Sequence, residues 1–342
     1  MNNEKKNIFQ QPLWVALFAL SAATAWGWAY PLIKLGFEEF AITASMTAEK
    51  MLFAGVRFTL AGVLVLCIAR GAKINFALKS RSSYWYVLLF ALMNTTLHYA
   101  FFYVGLSHSG GARAAILNSF GVFLLVLFAC MFFKSDKLTA RKIIGCIVGF
   151  AGILILNIGG ADSGRFTLQG DGMIILNTFC AAIAGLMTRG LGKRVDVFVG
   201  TGYSLAVGGI MLVAPALLMG ATIPQITAWG VVILLLLVGI STMGFMLYNK
   251  LLTCNPVGKV AIYNSLIPIV GAITSSLCLD EPFYWKYIIA ALLATHPVDD
   301  RRKGRNAEAD QNQGTSLCVG QVPRQRHDPS KVQDVQRHHR NP

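Results

Sequence analysis

The 342 residues are 55% hydrophobic and 13% charged, with a mean hydropathy of +0.56, which is more apolar than soluble domains run. A formal net charge of +14 would suit nucleic acid, but the Lys and Arg residues are spread through alternate loops, so no nucleic-acid partner is expected. The seven cysteines are scattered with no CxxC pair or Cys/His cluster, and no phosphate loop, HExxH or GxSxG is present; nothing points to a cofactor, a metal, ATP-driven pumping or hydrolase chemistry, and the chain is not expected to be an enzyme.

Apolar stretches of about 20 residues, the length that crosses a hydrocarbon core, recur near 13–33, 49–69, 84–106, 111–133, 141–158, 170–189, 200–220, 229–250 and 259–279, with a shorter tenth near 283–294. They must be helices, because lipid leaves no backbone group unpaired and barrel strands would be short and alternating. The basic residues of one set of loops are Lys5, Lys6, Arg70, Lys73, Lys79, Arg81, Lys134, Lys137, Arg141, Lys142, Arg189, Lys193, Arg194, Lys250 and Lys259; the opposite loops hold Lys34, Lys50, Arg113, Arg165 and Lys286. That bias puts the N-terminus in the cytoplasm.

The first span continues through Trp26-Gly27-Trp28-Ala29-Tyr30-Pro31, too long for a secretory signal, and Pro31 is expected to loosen or end it by removing a backbone donor. The second contains Arg57, a cation at a depth where it must face the bundle interior or water, or else pack between helices against carbonyls. The third carries Asn94, His98, Phe102 and Tyr103. Asn94 and His98 share a helix face near mid-membrane, where Asn either ties helices together or lines a wet cavity. No Asp or Glu lies at the middle of any span, so coupling to protons would fall to His98, the one central side chain that titrates near neutral; uncoupled transport is the alternative.

One motif occurs twice. Gly111-Ala-Arg113-Ala-Ala-Ile-Leu-Asn118-Ser119 leads through an apolar run to Asp136-Lys137-Leu138-Thr139 and Ile143-Ile144-Gly145. About 146 residues later Val257-Gly-Lys259-Val-Ala-Ile-Tyr-Asn264-Ser265 leads to Asp280-Glu281-Pro282-Phe283 and Ile288-Ile289-Ala290. A period this long means two homologous halves rather than a solenoid. Five spans per half is an odd number, so the halves enter the membrane from opposite sides, with Asn118 a third of the way from outside and Asn264 a third from inside. That is the relation of an inverted repeat. Pro268, four residues after Asn264, is expected to kink the ninth span.

These residues resemble the drug/metabolite transporter superfamily, and within it the EamA family. The resemblance rests on Ala25-Trp26-Gly27, Arg57-Phe58, Asn118 through Asp136 to Gly145, Leu191-Gly-Lys-Arg194 and Asp280-Glu281-Pro282-Phe283, and it covers roughly residues 12–292. It implies an all-α polytopic membrane protein of ten transmembrane helices in two inverted five-helix repeats. It also implies secondary transport, with export, of small organic metabolites such as amino acids. The cavity or gating candidates carried over are Trp26, Arg57, Asn118 and Asn264. Asn94, His98, Tyr103, Tyr248 and Asn249 join them from their positions in the spans. The expected organisation is a cytoplasmic segment 1–11, a first repeat 12–158, an outer linker 159–169, a second repeat 170–294 and a polar tail 295–342, all in a bacterial inner membrane. The expected partners are a small-molecule metabolite and membrane lipid, with a homodimer left open.

The tenth span departs from this plan. Phe283–Ala294 would make roughly 18 Å of helix against a core of about 30 Å. It gives way to Thr295-His-Pro297-Val-Asp-Asp-Arg-Arg-Lys303 and a polar stretch without periodicity, expected to be disordered. Residues from 295 are either out-of-frame translation or a real cytoplasmic tail that meets anionic lipid. An incomplete last helix would make the protein a defective or non-transporting one. A membrane enzyme acting on lipid intermediates is the remaining alternative, and the sequence lacks the interfacial polar cluster it would need.

Overall fold

The computed structural model describes residues 7–43, 45–108, 111–133 and 166–279. The fifth and tenth spans, the motif ends at Asp136 and Asp280, most of the outer linker and the tail lie outside the described residues. Among the described residues all regular structure is helical. The elements are α1 (Pro12–Glu39), α2 (Thr47–Gly71), α3 (Arg81–Ala91), a π turn (Leu92–Leu97), α4 (His98–His108), α5 (Gly111–Phe132), a second π turn (Leu168–Gly172), α6 (Met173–Gly192), α7 (Val197–Leu218), α8 (Ala228–Cys254), α9 (Val257–Ala261), a 3₁₀ turn (Ile262–Leu266) and α10 (Ile267–Leu279).

Among the described residues six stretches are long and apolar enough to cross a membrane: Pro12–Glu39, Thr47–Gly71, Arg81–Leu106, Leu168–Gly192, Val197–Leu218 and Ala228–Cys254. They coincide with six of the expected spans. Their exposed faces carry large apolar side chains, such as Leu60, Leu64 and Ile68 on α2 and Leu235 and Leu236 on α8, while alanines such as Ala19, Ala22, Ala23, Ala54 and Ala61 are buried. Small residues inside and large ones outside is the pattern of helices that associate in lipid, where close backbone approach rather than water exclusion drives packing.

The closest approach joins α2 to α7. A Cβ on Gly55 would lie 2.9 Å from the Gly209 carbonyl oxygen, and one on Gly209 would lie 2.7 Å from that of Gly55. Gly62 and Gly202 answer each other in the same way, at 2.7 and 3.2 Å. Early residues of one helix meet late residues of the other, so the two run antiparallel. Around this crossing α1 packs on α8 and α10, α6 packs on α4 and α5, and α8 also lies against α2.

Of the two expected proline effects, an end to α1 is not seen at Pro31, whereas the ninth span does break beside Pro268. Pro31 does not end α1, which continues to Glu39. Its missing N–H leaves the Gly27 carbonyl without a helical partner; the Thr274 hydroxyl on α10 stands 3.4 Å from that oxygen but donates to the Val270 carbonyl of its own helix at 2.8 Å. On the ninth span the helix is interrupted ahead of Pro268: the 3₁₀ turn Ile262–Leu266 carries Asn264, and α10 begins at Ile267. Pro268 therefore occupies the first turn of the new helix, where a missing donor is tolerated.

Candidate functional site

Arg57 organises the centre. It lies near the middle of α2, is only 4% exposed, and donates from Nε to the Ser241 hydroxyl of α8 at 2.9 Å. Its guanidinium carbon stands 5.1 Å from the Phe58 ring centre, and the Tyr99 and Tyr103 hydroxyls lie within its field. Among the described residues no carboxylate pairs with it. A guanidinium keeps its charge in any protein environment, so this is a permanent cation held among neutral dipoles and ring faces.

An aromatic wall extends from it. The Phe58 ring lies 4.1 Å from Tyr99 and 6.3 Å from Phe245, and the Trp26 ring lies 5.3 Å from Phe245 and 5.2 Å from Tyr248. Gly244 leaves space for the indole, since a Cβ there would sit 2.6 Å from Trp26 Nε1. Tyr103 is fully buried and meets Phe37, Tyr99 and Phe102. Beyond Tyr248, the Asn264 amide donates to the tyrosine hydroxyl at 2.9 Å.

Trp26 and Tyr30 are four apart on α1 and share a face. Tyr30 reaches the other motif asparagine: its hydroxyl meets Asn118, whose carbonyl oxygen accepts a hydrogen bond from the Asn177 amide of α6. The buried Asn177 carbonyl oxygen has no acceptor role of its own filled among the described residues. One face of α1 therefore reaches Asn264 through Trp26 and Tyr248, and Asn118 through Tyr30.

The remaining sequence candidates are placed elsewhere. Asn94 donates to the Ser204 hydroxyl at 3.1 Å, and Asn249 donates to that of Thr201 at 3.0 Å. Both tie their helices to α7. His98 is half-buried at the start of α4, its ring 4.4 Å from that of Tyr99.

Sequence reasoning missed Tyr30, Tyr99, Asn177, Ser241 and Phe245. One of them, Ser241, carried a signal. Gly55, Arg57, Gly62 and Asn94 recur 147 residues later as Gly202, Ser204, Gly209 and Ser241, the same interval as the asparagine motif to within one residue. Aligning the halves on the glycines places Ser204 and Ser241 at the positions of Arg57 and Asn94.

Comparison with known proteins follows the same division. Residues 13–158 and 168–296 each match the model of the EamA-like transporter family. An uncharacterized transporter of Bacillus subtilis, YvbV, is 26% identical over 303 residues, covering 86% of this chain and 94% of its own. An uncharacterized transporter of Archaeoglobus fulgidus is 26% identical over 260 residues, covering 75% and 86%. Among solved structures, one crystal structure of a protein superposes with a TM-score of 0.64 at 14% identity, over 89% of this chain and 96% of that one, a likeness of fold.

Proposed function

The chain belongs to the EamA-like transporter family, a membrane transporter of the drug/metabolite superfamily, and on that premise we propose that it is a secondary exporter of small organic metabolites such as amino acids, working by alternating access between two inverted repeats. The halves are residues 12–158 and 170–294, with the N-terminus in the cytoplasm. Solute passes along the face of α1 that carries Trp26 and Tyr30, between Asn118 towards the outside and Asn264 towards the inside.

The observation that carries this reading is the reciprocity of the α2–α7 crossing. Gly55 meets Gly209 and Gly62 meets Gly202, so each position meets the equivalent of the other, as two copies do across a two-fold axis. Equivalent helices that run antiparallel fit an axis in the membrane plane, the arrangement that lets one half rock against the other around a central site. The separate match of each half to the family model supports the same reading.

The test is counterflow of radiolabelled amino acids and related metabolites into proteoliposomes holding the full chain, paired with a metabolite-resistance screen in cells that express it. The expectation is saturable flux of at least one solute, and resistance with lowered internal accumulation of the same solute. Folded, reconstituted protein that carries nothing across a broad panel sinks the reading, as does product formation without flux.

A further inference from the structure

We propose that Arg57 is the recognition group for a solute carboxylate, so that the cargo is an organic acid or a zwitterion whose apolar part lies against Trp26, Phe58, Tyr99 and Phe245. This rests on the transport reading above and names the substrate class of the same site.

The charge at position 57 exceeds what helix packing requires. The contact between Arg57 and Ser241 has a counterpart 147 residues on at Arg57's equivalent, where Ser204 is held by Asn94 at 3.1 Å. Two neutral side chains make that second tie. The first tie uses an arginine, 4% exposed, with no carboxylate beside it among the described residues. A cation is costly at mid-membrane and is retained where it meets an ion pathway or a counter-ion. Ser241 engages Nε and so fixes the plane of the guanidinium, whose fork of terminal nitrogens matches a carboxylate in bidentate geometry. Of the rings around it, Trp26 and Tyr99 are only partly buried and offer apolar surface to the organic remainder, backed by the buried Phe58 and Phe245. A neutral or cationic solute would leave the guanidinium unpaired while displacing whatever else solvates it.

The full chain in lipid nanodiscs is titrated with L-phenylalanine, L-leucine and 3-phenylpropionate, and with the carboxamide of each. Binding is read from the shift in thermal unfolding and from competition for the tightest of the six probes. At least one acid is expected to bind about 10-fold or more tightly than its amide. Arg57→Gln should erase that preference, while Arg57→Lys, which keeps the charge without the fork, should retain it at reduced affinity. Equal binding of acids and amides, no binding of any acid, or an acid preference that survives Arg57→Gln overturns the proposal. The comparison of acids with amides on the unaltered protein decides the matter even where Arg57→Gln does not fold. The proteoliposome assay separates the two readings. Flux of neutral solutes with no acid preference leaves the carrier standing and removes the carboxylate, whereas acid binding without flux of any solute keeps the site and removes the carrier.

Discussion

Arg57 donates to Ser241 at 2.9 Å between α2 and α8, and Asn94 donates to Ser204 at 3.1 Å between the π turn and α7. Each partner of the first bond lies 147 residues from a partner of the second, so one contact is made twice, once with a charge and once without. The two should differ in weight. Ser241→Ala leaves a buried cationic donor unmatched and is expected to cost about 1.5–3 kcal/mol, whereas Ser204→Ala removes a neutral bond worth about 1 kcal/mol. Unfolding of the two purified variants in one detergent, by heat or denaturant, measures the difference; equal losses would contradict the assignment.

The glycine crossing predicts a ranking. A Cβ at Gly209 would meet the backbone nitrogen of Thr59 at 2.5 Å, and one at Gly55 would meet that of Val213 at 2.9 Å. At Gly202 the nearest atoms belong to the Leu66 side chain, at 2.7 Å. Side chains yield and backbones do not. Gly55→Ala and Gly209→Ala are therefore expected to lose about 1–3 kcal/mol or more by overpacking, with Gly202→Ala the mildest of the three. Monodispersity on size exclusion after graded heating reports the order.

The Asn264–Tyr248 bond sits at the break between α9 and α10, where the chain is free to rearrange. Tyr248→Phe removes the acceptor oxygen and keeps the ring on Trp26, 5.2 Å away. The expected outcome is a loss of about 1 kcal/mol in stability and a transport rate reduced about 10-fold, with Asn264→Ala behaving alike. Each is scored as initial counterflow rate against the melting midpoint. A variant that melts early yet transports at the full rate would show the bond to be packing only.

Pro31→Ala should be tolerated. It restores the N–H that would bond the Gly27 carbonyl, an oxygen the Thr274 hydroxyl only approaches at 3.4 Å while bonding Val270 at 2.8 Å. Because the Thr274 proton goes to the Val270 carbonyl, Thr274→Val is expected to cost about 0.6 kcal/mol or less, and the same amount once Pro31→Ala is present. A double-mutant cycle on unfolding checks this, and clearly non-additive losses would sink it.

Much of the fold was legible in the chain. Six long apolar helices lie where stretches of sufficient length occur, and the family was recognisable from its paired motifs. At Pro31 the local rule holds only in part: the proline frees the Gly27 carbonyl, but losing one donor does not end α1, which runs on to Glu39. For Asn94 and Asn249 depth leaves a choice between tying helices and lining a pathway, and the contacts add their ties to Ser204 and Thr201. Arg57 was ambiguous for the same reason: sequence gives its depth and charge, and its neighbours decide the rest.

The sequence by itself determined that this is a helical membrane protein, where its spans run and that its halves echo one another, because hydrocarbon demands a minimum apolar length and forbids unpaired backbone. Tertiary structure alone decided that Arg57 meets Ser241, 184 residues away, that Trp26 reaches Asn264 through Tyr248, and that Tyr30 belongs with Asn118. Those pairings depend on which faces meet when helices distant in the chain pack together, and no local pattern of residues encodes that meeting.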